Sequence, residues 1–145
     1  MVRAEITGRT GMAVVRLALD TGATRTLINA GLLVAVDYDP AATLERTEVT
    51  TGSGVEFAAL VSISKIIAVE LERTEFPVLA HTLPPSAGVE GVLGLDFLCG
   101  HVPQIDFQNG RLTLDGPMDE REPEKAGAAR FARQRISAIG GRQAF

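Results

Sequence analysis

Residues 15–33 read VRLALDTGATRTLINAGLL, and this stretch decides the fold. Leu17, Ala18 and Leu19 lead directly into an acid, Asp20, and then Thr21 and Gly22 follow. Burying a carboxylate behind such a run costs free energy unless the acid is paired or used. Gly22 lets another backbone approach closely. Ala23 and Thr24 come next, and a second apolar stretch begins at Leu27. A strand therefore delivers an acid to a tight loop, and the chain then re-enters the core.

Outward from this loop, the first 115 residues read mainly as β. Val2–Ile6 and Ala13–Leu19 are strands, with Gly8 and Gly11 in the turn between them. The stretch 27–36 includes a helical turn. Leu44–Thr50 and Val55–Ile63 form a hairpin whose tip is Thr51, Gly52, Ser53 and Gly54. Lys65–Leu71 and Phe76–Ala80 are further strands, joined by the polar segment Glu72–Glu75. Gly91–Cys99, GVLGLDFLC, is an apolar run too short to assign by periodicity. Ile105–Gln108 and Arg111–Leu114 flank Asn109–Gly110, the signature of a type I′ hairpin. A faint internal symmetry relates 14–33 to 76–98, since each runs strand, loop, apolar segment.

After Leu114 the character changes. Gly116 and Pro117 break the chain, acids cluster at Asp119, Glu120, Glu122 and Glu124, and arginines follow. Ala128, Phe131, Ala132, Ile136 and Ile139 fall near helical spacing. Residues 1–115 are thus expected to form one domain, with 116–145 a charged tail that is a short basic helix or a partly disordered terminus.

With 46% hydrophobic residues against 22% charged, the chain has enough apolar material for a core. A single cysteine, Cys99, excludes an internal disulfide, and a small buried hydrophobe is its expected role. The net charge of −4 gives no reason to expect nucleic acid as a partner. No membrane span and no signal peptide are legible, so a cytoplasmic protein is the expectation. His81 and His101 have no partners at ligand spacing, so no metal site and no cofactor are expected. Ser53 belongs to no serine triad, and 52–54 is too short for a phosphate loop. Asp96 reads as a hydrogen-bonding acid rather than a catalyst, and Asp106 as an outward strand residue.

LALDTGAT, followed some seventy residues later by VEGVLGLDFL, resembles the retropepsin-like aspartic peptidases. The resemblance covers about residues 2–115 and implies an all-β, closed barrel-like lobe with one short helix. It implies that Asp20 is the catalytic aspartate, that the Thr21 hydroxyl braces two catalytic loops, and that the Gly22 carbonyl faces substrate. Ala23 adjoins the substrate. Gly52, Ser53 and Gly54 match the flap tip, and Val92 and Leu93 match apolar positions beneath the loop, with Gly94 opening the helix. Leu95 stands where viral members often carry arginine, and Asp96 follows as in many cellular relatives.

Aspartic peptidases use two carboxylates that share one proton, one ionised to activate water and one protonated to donate to the scissile carbonyl. Asp-Thr-Gly occurs once here, and no other aspartate is followed by Thr-Gly or Ser-Gly. Catalysis therefore requires a second copy, with Asp20 from both subunits on a two-fold axis. The expected function is a homodimeric aspartic endopeptidase acting on a polypeptide substrate. The alternative is a non-catalytic peptide-binding or dimerisation module on the same lobe.

Overall fold

A computed structural model describes residues 1–51, 54–116 and 132–135. The order of elements is β1 (Val2–Thr7), β2 (Met12–Leu19), β3 (Leu27–Asn29), α1 (Ala30–Ala35), β4 (Arg46–Thr51), β5 (Gly54–Ala68), β6 (Leu71–His81), a 3₁₀ turn (Pro85–Ala87), β7 (Gly91–Leu93), α2 (Leu95–Leu98), β8 (Val102–Asp106), β9 (Arg111–Asp115) and β10 (Ala132–Arg135).

Six strands close on themselves in the order β1-β2-β7-β3-β6-β5, and β5 returns to β1. Closure removes the free sheet edges that would otherwise template aggregation. Period-two alternation drives it: Val2, Ala4 and Ile6 of β1 point inward, as do Val15 and Leu17 of β2. Ile28, Ile63, Ile66, Val78, Leu93 and Phe97 complete a fully buried centre. The all-β barrel expected from the sequence is thus present, with two short α-helices rather than one.

The faint internal symmetry has a structural counterpart. β2 pairs in parallel with β7, β3 in parallel with β6, and β3 antiparallel with β7. The path from β2 to β3 therefore steps over β7, and the path from β6 to β7 steps over β3. Each half runs strand, loop, short strand, short helix, and the two halves interlock. Gly91 permits the crossing: a Cβ there would lie 2.2 Å from the Leu27 carbonyl oxygen.

Several boundaries differ from the sequence reading. β5 is one strand of 15 residues, and its first half pairs with β4 while its second pairs with β1. The turn into β6 lies at Val69–Glu70, not at Glu72–Glu75, which belong to β6. Val69 (φ 46°) and Glu70 (φ 60°) both take the left-handed conformation that tight hairpins require. Neither is a glycine or asparagine, so local composition hides the turn. Burying Val69 in the core offsets its backbone strain. Asn109–Gly110 is not a two-residue turn either, because Asp106 pairs with Arg111 and leaves a four-residue loop. The Asp106 carboxylate accepts from the backbone N–H groups of Gln108 and Asn109 and from the Asn109 side chain. Those bonds hold the carboxyl of Asp106 below its ordinary value, the Asn109 side chain first among them.

Cys99 is exposed rather than buried. It ends α2, and the chain turns outward at Gly100 (φ 83°). In the tail, Ala132–Arg135 form a strand against β9, from Ala132 opposite Leu114 to Arg135 opposite Arg111, where a short helix or a partly disordered terminus is expected. The pairing with β9 overrides a weak helical pattern interrupted by glycines. Ala128, Phe131, Ile136 and Ile139 lie outside the described residues.

Candidate active site

The loop after β2 is built on its own acid. The Asp20 backbone N–H donates to the Leu93 carbonyl at 3.2 Å, which ties the end of β2 to β7. The Asp20 carboxylate accepts from the Gly22 N–H at 2.8 Å, and the Ala23 N–H donates to the Asp20 carbonyl at 3.2 Å. This is an Asx-type turn, which aspartate favours because its side chain reaches the backbone two residues on. Asp20, Thr21 and Gly22 are exposed.

The far side of the loop is pinned by a cluster that the sequence did not reveal. Thr26 is the buried polar residue of the described chain, at 0% exposure. Its backbone N–H donates to both carboxylate oxygens of Asp96, at 2.9 and 3.0 Å. Its hydroxyl donates to Asp96 Oδ1 at 2.8 Å and accepts from the Gly94 N–H at 3.1 Å. The Leu95 N–H donates to the Ala23 carbonyl at 2.9 Å. Gly94 caps α2 as expected, and only glycine fits, since a Cβ would come within 2.5 Å of the Arg25 carbonyl carbon. Asp96 is the hydrogen-bonding acid expected from the sequence. Its partner lies 70 residues away, and only the fold joins them. Thr26 stands between Arg25 and the apolar stretch that begins at Leu27, so its burial, and with it its need for a partner, follows from the fold.

Asp20 opens onto a cleft of about 470 Å³. Its floor is Gly22, Ala23, Thr24, Arg25, Leu27, Leu79 and Val92, and its roof is Thr47–Thr50 of β4. Of the residues expected to meet substrate, Ala23 and Val92 line the cleft, while Leu93 lies beneath it in the core at 0% exposure. Gly54 (φ 134°) pairs with Thr51 at the end of the hairpin. Gly52 and Ser53 lie outside the described residues. Thr21 is not among the residues that line the cleft, and no described residue bonds its hydroxyl.

The other titratable groups stand apart. His81 meets Glu56 at 3.4 Å. His101 Nδ1 lies 3.4 Å from the Cys99 carbonyl oxygen. Among the described residues no group of three His, Cys, Asp or Glu is placed to hold a metal ion.

A closed six-stranded lobe, interlocked loops and an Asp-Thr-Gly turn at the mouth of a roofed cleft define a retropepsin-like aspartyl protease lobe. The chain belongs to the family of gag-polyprotein putative aspartyl proteases, whose model matches residues 2–99. The curated proteins contain no match to it.

Proposed function

We propose that this chain is an aspartic endopeptidase that hydrolyses peptide bonds as a homodimer. The observation that carries the reading is Asp20, an exposed carboxylate on a loop pinned from both ends, at the floor of a cleft roofed by β4. The outer strand β4 along the cleft offers an edge that can grip an extended chain as an added strand. The reaction needs two carboxylates close enough that only one ionises. The floor supplies one, so a second copy supplies the other, and the pair titrates as a unit. One carboxylate takes a proton from water while the other donates to the carbonyl oxygen. The carboxyl that took the proton from water then gives it to the nitrogen, the C–N bond breaks with departure of the amine, and a hydroxyl proton of the tetrahedral species returns to the other carboxylate. The unbonded hydroxyl of Thr21 is free to brace the partner loop across the two-fold axis.

The test is turnover of a peptide library by the full chain over a range of protein concentrations. Wild type is expected to cleave, with specific activity rising as dimer forms. Asp20→Asn keeps the shape of the side chain but removes the shared proton, and is expected to abolish cleavage while the fold survives. Full activity from a proven monomer, or from Asp20→Asn, would overturn the proposal. Binding of peptide by wild type without cleavage would favour the non-catalytic module.

A further inference from the structure

Two opposite charges line the cleft, Arg25 from the acid-loop side and Glu48 from β4. Neither forms an ion pair among the described residues. Both are exposed, so neither is neutralised by burial or by a partner within the chain.

Their footings differ. Arg25 sits between two anchored neighbours, because the Thr26 N–H is held by Asp96 and Gly94 packs against the Arg25 backbone. Its backbone is therefore held, and Arg25 lines the cleft from a fixed base. Glu48 stands opposite Phe57 on the β4–β5 hairpin, which lacks such a clamp. A guanidinium offers five N–H donors in a planar fork that matches a carboxylate.

We propose that Arg25 is a specificity-determining residue that selects polypeptides with an acidic side chain near the scissile bond. A two-fold dimer would place one Arg25 on each side of that bond, so the preference would extend to both flanks. Glu48 disfavours a second acid on the opposite wall and narrows the choice to the position facing Arg25. The proposal rests on the peptidase reading for the bond that is cut, but not for the binding of the peptide.

The experiment uses the full chain and fluorescein-labelled decapeptides of one apolar sequence, carrying Glu, Gln or Lys at each position in turn. Cleavage by wild type is read by mass spectrometry. Binding to the Asp20→Asn protein is read by anisotropy, so affinity is measured whether or not the wild type cleaves. The expected result is a preference for Glu over Gln of about tenfold at positions flanking the cut, the scale of one charge-assisted hydrogen bond. Arg25→Gln should erase that ratio, and Arg25→Glu should invert it toward Lys. Raising salt to about 0.5 M should shrink it, because a contact at an exposed guanidinium is screened. An unchanged ratio in Arg25→Glu overturns the proposal. So does a result in which Arg25→Glu weakens all peptides alike and adding Glu48→Arg restores them, since the two charges would then serve each other. If the wild type cleaves nothing, the peptidase reading fails. A Glu preference in binding that inverts in Arg25→Glu would still uphold the role of Arg25, and its absence would refute it.

Discussion

The acid loop and the β4–β5 hairpin form opposite walls of one cleft, and they are built in opposite ways. The loop is short and held by residues from the other half of the fold: the Asp96 side chain binds Thr26, Gly94 packs on Arg25, and the backbones of Leu93 and Leu95 hold Asp20 and Ala23. Beyond residue 58 the hairpin joins the barrel, whereas its outer part is held by its own ladder and the contact of Glu56 with His81. There Val55 is 58% and Phe57 65% exposed, although their odd-numbered neighbours Val61 and Ile63 lie in the core. Under the proposed function, the carboxylate must be placed to a fraction of an ångström, whereas the strand over it must admit a long substrate. Rigidity on one wall and loose attachment on the other serve both needs.

The contrast can be broken most forcefully at Gly94. Its Cβ contact is with backbone, which cannot swing aside, so Gly94→Ala is expected to cost on the order of 3 kcal/mol. A urea titration of the full chain would measure it, and a loss within about 0.5 kcal/mol would mean that the loop is not clamped there. Asp96→Ala is next. It leaves the buried N–H and hydroxyl of Thr26 without their acceptor, a loss of about 1–3 kcal/mol. Amide exchange at Thr26 should accelerate with it, and protection equal to wild type would remove the clamp from the account.

Phe57→Ser sharpens the comparison from the other wall. Its ring is mostly exposed, so stability should change by no more than about 0.5 kcal/mol. A loss as large as that of Asp96→Ala would show that the hairpin is tied down as firmly as the loop. The smallest effect is expected at Asp106, far from both walls. Its folded pKa lies below the ordinary 3.8, chiefly through the Asn109 side chain. A depressed acid stabilises the fold above its unfolded pKa, and that contribution fades as pH falls through the folded value. Asp106→Ala should therefore melt slightly below wild type at pH 7, with the gap closing in acid below about pH 4. A gap that widens in acid would reverse the sign and refute the assignment.

Local pattern made most of the barrel legible. Alternation marked β1, β2 and the hairpin, and the acid–glycine triplet marked the loop. The boundaries that escaped were those where tertiary packing overrode local preference. The Val69–Glu70 turn carries no turn residues because the β1–β5 and β5–β6 ladders impose it. Asn109–Gly110 looked like a two-residue turn, yet Asp106 draws the loop into four residues. Ala132–Arg135 looked helical, yet β9 offers a strand edge.

The sequence by itself determined the class: an acid at the end of an apolar strand, followed by Thr-Gly, with a second apolar–glycine element downstream. These are signals between neighbours in the chain, and the physics of a strand ending in a tight turn is local. Only the tertiary structure decided what holds that acid still. The Thr26–Asp96–Gly94 clamp joins residues about 70 positions apart, and neither partner shows its need in its own neighbourhood. Arg25 and Glu48 likewise come to line one cleft, which exists only once β4 is folded over the loop. A buried polar group must find a partner, but which one it finds is set by the path of the whole chain.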